Sequence, residues 1–188
     1  KSTIDLLEVN MRKLADEISQ RRQAIAIQLE KSIQDHLIDL GMANVHFKIA
    51  VTRNEKLDYY GINDIEILFS ANLGEQLKAI QKVASGGELS RIALAIKAVC
   101  ADKEDIGVMI FDEIDTGIGG KTAQMVAEKI AMVAMHKQVL CITHLPQIAC
   151  MADSHLYIEK QTYDGKTITS IKLLDDTEHL NELARMAS

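Results

Sequence analysis

Tryptophan is absent from this chain, and its 188 residues hold one proline, Pro146. So little proline excludes a proline-rich linker or ligand and leaves helices uninterrupted. The three cysteines, Cys100, Cys141 and Cys150, are an odd number without paired spacing. That excludes a disulfide framework and suits a reducing cytoplasm, where free cysteine behaves as a small apolar residue. Positive charge is not in excess either: 21 Lys and Arg face 27 Asp and Glu, a net charge of −6. A surface that grips nucleic acid by bulk electrostatics is thereby excluded, and any DNA contact is local or made by another part. No apolar run approaches membrane-spanning length and no signal-peptide pattern is present, so no membrane partner is expected. The chain opens with Lys1 rather than Met and reads as a segment of something longer.

What is present suffices for one substantial core, since 47% of residues are hydrophobic. Residues 1–40 contain no glycine or proline and read as one long helix ended by Gly41. Ile4, Leu7, Met11, Leu14 and Ile18 follow heptad spacing, with Arg21 at the next seam position. Ile25, Leu29, Ile33 and Leu37 then recur every four residues, the drift of a helix leaving a coiled coil to pack on a globular body. An amphipathic surface helix is the plain alternative. Strands are expected at "VHFKIAVT" and "DIEILFSA", and a helix from about Glu88 to Ala101 after a glycine pair. "GVMIFD" and "QVLCITH" read as strands buried on both faces, with a helix over about 121–135 between them. "HLYIEKQT" and "TITSIKLL" read as a hairpin around "YDGK". The class is α/β with a mixed sheet: a long helix over 1–40, then a globular portion over 41–188.

"GVMIFDEIDTGIGGKTAQ" looks like a phosphate-binding loop, but the register fails. A P-loop needs G-x-x-x-x-G-K-[ST] directly after a strand, so that backbone N–H groups wrap the phosphates. Anchored on Gly120-Lys121-Thr122, the first glycine falls on Asp115; anchored at the strand end, it falls on Asp112. Either register puts a carboxylate where anions must approach. The stretch instead matches a strand ending in acids: Val108 to Phe111, then Asp112 and Glu113. Such a strand end can hold magnesium through the first acid, and the second can polarise a water as general base. Two solvated acids are the plain alternative.

"SGGELSR", Ser85 to Arg91, opens a helix. Ser85 and Glu88 form an S-x-x-E capping box, and Gly86 and Gly87 could simply shape the turn. The same geometry, with free N–H groups and no Cβ in the way, also makes an anion site suited to a γ-phosphate. His144 ends "VLCITH", and the sheet topology would bring it to the same edge as Asp112 and Glu113. Cys141, His144, Cys150 and His155 are loosely spaced like zinc ligands, but the interval fits no standard finger and core cysteines are the better reading.

In order and spacing these features resemble the second half of an ABC-type ATPase head: signature, Walker B, D-loop, H-loop. "KVASGGELSRIALAIKAV", "MIFDEIDTGIGGKTA", "CITHLPQIA" and "FSANLGEQLKAIQKVASGGE" are similar, within that superfamily, to the RecN family of SMC-like DNA repair ATPases. The implied fold is the C-terminal lobe of a P-loop NTPase head, preceded by a returning coiled-coil arm. The resemblance implies ATP and magnesium as ligands. Asp112 would assist the metal through water, Glu113 would be the catalytic base and His144 the switch histidine. Ser85, Gly86, Gly87 and Glu88 would address the ATP of a partner head, and Asp115 would serve in the D-loop. A Gly119 stands where many ABC proteins carry an aspartate, and Ala84 where wider SMC relatives carry leucine.

Implied partners are an N-terminal half carrying Walker A, a second head, and DNA at double-strand breaks or ends. The implied activity is ATP hydrolysis in recombinational repair, in the cytoplasm and on the nucleoid. Lacking Walker A, the chain alone is expected to be inactive. The alternatives are a head of an SMC-type chromosome-organising ATPase and a nucleotide-gated clamp without hydrolysis. A transporter subunit fits less well, having no place for the arm.

Overall fold

The computed structural model describes residues 2–70, 72, 74–82, 86–100, 105–163 and 166–188. It divides into two compact units, Lys1–Ser85 and Gly86–Ser188.

The first unit is built on α1 (Ser2–Asp39), one uninterrupted helix, as the absence of breakers dictates. Gly41 ends it with φ of 77°, a conformation that disfavours a Cβ. β1 (His46–Asp58) and β2 (Gly61–Ser70) form an antiparallel hairpin, with Phe47 opposite Phe69 and Val51 opposite Ile65. Both strands run past the expected ends, because the hairpin continues through polar residues that carry no burial signal. β3 (Lys78–Ala79) adds a short third strand on β2.

α1 lies on this hairpin through small residues. Ala15, Ser19 and Ala26 are buried, followed by Ile33 and Leu37 nearer the C-terminal end. The heptad row is a different stripe and is exposed: Ile4, Leu7, Met11, Leu14 and Ile18 are all open to solvent. Ile25, expected on the packing side, is 53% exposed while its neighbour Ala26 is 5% exposed. Two side chains one turn apart cap the outer edge of β1. Gln34 Oε1 accepts from the Phe47 N–H at 3.1 Å while its Nε2 donates to the Val45 carbonyl at 2.9 Å. Glu30 Oε1 accepts from the Ile49 N–H at 2.8 Å. The helix thus gives an exposed strand edge the partners it lacks.

The second unit begins with α2 (Gly86–Cys100), which takes the glycine pair into its first turn rather than starting after it. The expected end at Ala101 lies outside the described residues, as does the centre of the hairpin turn. β4 (Val108–Phe111) and β5 (Gln138–Cys141) pair in parallel, joined by α3 (Gly120–Ala134). α4 (Pro146–Ala149) is one turn with proline at its start. β6 (Leu156–Tyr163) and β7 (Lys166–Leu173) form the expected antiparallel hairpin, and α5 (Asp176–Met186) follows. Asp175 and Glu178 make a complete capping box for α5, satisfying its first backbone donors.

Two expectations need correction. The parallel and antiparallel strands do not join into one mixed sheet but form three separate ones among the described residues. Nor are β4 and β5 buried on both faces. Met109 and Phe111 are covered, whereas Val108, Ile110 and Leu140 are 47%, 67% and 43% exposed. A two-stranded parallel sheet with helices on one side leaves the alternate side chains open. No helix of the described residues is long and apolar enough to cross a membrane.

Candidate functional site

Parallel pairing sets Phe111 opposite Cys141, so the segments that leave β4 and β5 emerge at the same sheet edge. Asp112 and Glu113 follow Phe111 and are exposed. His144 stands three residues beyond the end of β5, in the loop before α4 rather than on the strand.

The loop after β4 is a tight turn. Thr116 N donates to the Glu113 carbonyl at 3.1 Å, and Ile118 N to the Asp115 carbonyl at 3.4 Å. Among the described residues Glu113 alone, glycines aside, has positive φ, at 58°. That left-handed conformation is costly for a residue with a Cβ and persists where its surroundings over-determine it.

Those surroundings are α2. Ser90 Oγ donates to the Asp112 carbonyl at 2.8 Å. Arg91 Nη1 donates to the Ile114 carbonyl at 3.3 Å and to the Thr116 carbonyl at 3.0 Å. Arg91 is buried at 8% exposure, and burial lowers its pKa while the charge of Glu88 opposes that shift. A Cβ on Gly87 would come within 3.0 Å of the Glu113 carbonyl oxygen and 3.1 Å of Thr116 Cβ. A Cβ on Gly86 would collide with Glu113 Oε2. The glycine pair therefore has a use within this chain: it lets the start of α2 lie against the loop that carries Glu113. Ser85 lies outside the described residues.

Asp115 points inward. Its carboxylate is 4% exposed, and Oδ2 accepts from Thr143 Oγ1 at 2.6 Å, His144 N at 2.8 Å and His144 Nδ1 at 2.9 Å. Thr143 Oγ1 in turn accepts from Leu145 N at 3.0 Å. An ionised carboxylate only accepts, so His144 carries its hydrogen on Nδ1 and turns Nε2 outward on a ring that is 73% exposed. Oδ2 of Asp115, the residue expected in the D-loop, thus has its partners within the chain.

Among the described residues no group of three or more His, Cys, Asp or Glu side chains converges as a ligand set. Cys141 is a protonated thiol, its pKa raised to about 11 by burial and then by the charges of Asp115 and Asp112. Asp112 and Glu113 are a donor set too small to cage a metal, but a magnesium ion that brings phosphate and water ligands needs only one or two carboxylates.

Ser90, Arg91 and Thr143 were missed as members of this site. Arg91 had a signal: it stands three and four residues before buried Leu94 and Ala95, on the apolar side of α2, where a guanidinium must find acceptors.

No family model matches the chain. The DNA repair protein RecN of Bacillus subtilis (strain 168) is 46% identical over 177 residues, covering 93% of this chain and 30% of that protein. RecN of Deinococcus radiodurans is 39% identical over 188 residues, covering 100% of this chain and 33% of that protein. Over 93% to 100% of its own length the chain is similar to these RecN proteins. It spans 30% to 34% of the length of these and similar curated relatives. The Smc head domain with coiled coil and joint from Pyrococcus yayanosii aligns over 100% of this chain and 35% of that one, with a TM-score of 0.60 at 18% identity. A structure of SMC ATPases, concerning their ATP-driven dimerisation and DNA-stimulated activation, aligns over 90% of this chain with a TM-score of 0.52 at 19% identity. At these identities the likeness is one of fold: the chain has the α/β architecture of the C-terminal lobe of an ABC/SMC-type head.

Proposed function

We propose that this chain is the signature-bearing part of an SMC-like ATPase that hydrolyses ATP between two heads and acts in recombinational repair of DNA double-strand breaks. Residues 1–40 are the returning arm and 41–188 the head portion. The observation that carries the reading is the cluster at the edge of β4 and β5, where Ser90 and Arg91 of α2 bond the carbonyls of Asp112, Ile114 and Thr116 around Glu113, and Asp115 of the same loop holds His144. Similarity to DNA repair proteins over 93% of the chain supports the cellular role.

In this mechanism Asp112 would hold magnesium through water, and the ion would supply neutralisation of phosphate charge. Glu113 takes a proton from the attacking water as its oxygen bonds to the γ-phosphorus and the bond from that phosphorus to the β–γ bridging oxygen breaks, with ADP as the leaving group. His144 offers Nε2 to the γ-phosphate or that water, its ring held by Asp115. The first turn of α2, with Ser85, Gly86, Gly87 and Glu88, presents N–H donors to the nucleotide of the partner head. Walker A comes from the N-terminal half, so this chain alone does not turn ATP over. The site of action is the cytoplasm, on the nucleoid.

The test is ATP turnover by this chain mixed with the N-terminal half, against the chain alone, Glu113→Gln and Ser85→Arg. Turnover is expected in the mixture only and is lost in both variants. A folded mixture that binds ATP and never hydrolyses it would overturn the catalytic roles in favour of a nucleotide-gated clamp.

A further inference from the structure

The left-handed backbone of Glu113 lies between two peptide carbonyls, those of Asp112 and Ile114, and both are held from α2. Ser90 Oγ takes the first at 2.8 Å and Arg91 Nη1 the second at 3.3 Å, with the same guanidinium reaching the Thr116 carbonyl at 3.0 Å. Rotating Glu113 toward negative φ turns the Asp112–Glu113 peptide relative to the chain that follows, so the Asp112 and Ile114 carbonyls, one on each side of that bond, cannot both stay on their donors. The turn is closed from within by Thr116 N on the Glu113 carbonyl, but that bond spans only the far side of Glu113. Gly87 adds the close approach that brings both donors into range. Two consecutive side chains of one helix thus pin alternate carbonyls of one loop.

We propose that Ser90 and Arg91 are positioning residues that lock Glu113 in its left-handed conformation, and with it the aim of the Glu113 carboxylate at the attacking water. The inference rests on Glu113 being the general base. Neither residue touches substrate. Their donors fix where the base is, and they tie that position to the helix whose first turn faces the partner head's nucleotide. Any tilt of α2 is thereby passed to the loop through three hydrogen bonds rather than through loose side-chain contact. Displacing a reacting group by about an ångström costs on the order of a hundredfold in rate, so small losses of aim are readable.

The experiment is steady-state ATP turnover by the full-length protein carrying Ser90→Ala, Ser90→Thr, Arg91→Lys or Glu113→Gln. Ser90→Ala removes one hydroxyl and leaves packing intact. It is expected to lower kcat by about tenfold with the KM for ATP within about twofold, and Ser90→Thr to restore kcat. Arg91→Lys is expected to lose more, because both bonds come from Nη1 and the lysine side chain, one bond shorter, holds its nitrogen back from that position. A merely structural role predicts otherwise: thermal stability and ATP affinity would fall together with kcat, and threonine would not rescue. Wild-type kcat in both Ser90→Ala and Arg91→Lys, with Glu113→Gln inactive, would overturn the positioning role and leave the base intact. Wild-type turnover in Glu113→Gln would instead remove the base, and the inference with it.

Discussion

One oxygen of Asp115, Oδ2, accepts both the backbone N–H of His144 at 2.8 Å and its ring Nδ1 at 2.9 Å. A buried carboxylate thereby fixes the position, orientation and tautomer of an exposed imidazole in the loop that follows the neighbouring strand.

Asp115→Ala leaves Thr143 Oγ1, His144 N and His144 Nδ1 without this acceptor. Leaving a buried donor unpaired costs about 1–3 kcal/mol, so the urea midpoint is expected to fall accordingly. Nitrogen chemical shifts of the imidazole provide a second readout. His144 should report the Nδ1–H tautomer in the native chain and a mixture in the variant; an unchanged tautomer would count against the assignment.

Gly86 and Gly87 should respond differently to alanine. At Gly87 the new Cβ meets main-chain oxygen at 3.0 Å and Thr116 Cβ at 3.1 Å, neither of which yields cheaply. Overpacking of that kind costs about 1–3 kcal/mol. At Gly86 the obstacle is the far end of the Glu113 side chain, which can swing away. The gain in helix propensity, up to about 1 kcal/mol, then leaves stability unchanged or raised. Equal losses in both variants, read by thermal unfolding, would contradict the packing described.

On α1, hydropathy and packing point to different residues. Ala26→Leu forces three extra carbons into the contact with the hairpin and is expected to cost about 1–3 kcal/mol. Ile25→Ala, one residue away and 53% exposed, is expected to fall within about 0.5 kcal/mol of the parent. Chemical unfolding of the two variants decides which stripe is packed.

His155 Nδ1 and His179 Nδ1 are 2.9 Å apart, a hydrogen bond that needs at least one neutral ring. Burial lowers the His155 pKa first and the charge of His179 second, while Glu182 pulls it up. A histidine whose folded pKa is depressed binds fewer protons folded than unfolded, so its contribution is intact above the unfolded value, about 6.5, and is lost as pH falls below it. Amide protection of α5 should therefore weaken on acidification from neutral pH, and His179→Gln should flatten that dependence. Protection that does not change below pH 6.5 would refute it.

Local pattern revealed much of the framework: one breaker-free helix, the β4–α3–β5 run and the β6–β7 hairpin all stand where periodicity puts them. α5 went unread although Asp175 and Glu178 spell its capping box, because its sequence is too polar to announce a buried face. The packing side of α1 was illegible for a different reason. Ala15, Ser19 and Ala26 are small, so they are chosen by how closely a hairpin must approach, and no hydropathy pattern reports that distance. At the site, Asp112, Glu113 and His144 could be found because parallel pairing sends successive strand ends to one edge. Ser90, Arg91 and Thr143 could not, since their partners are main-chain oxygens and a carboxylate on separate elements.

Chemistry and order along the chain were properties of the sequence alone: acids after a strand, glycines opening a helix, a histidine after the next strand, and no phosphate-binding loop. These depend on residue type and spacing, which hold in any conformation. Which groups meet was decided only by the tertiary fold. Asp115 turning inward to hold His144, Glu113 held at positive φ, and Gly87 lying under Thr116 all follow from α2 and the strand ends being brought to one place. Hydrogen bonds between distant segments have no local signature, because each depends on a distance that neither segment sets by itself.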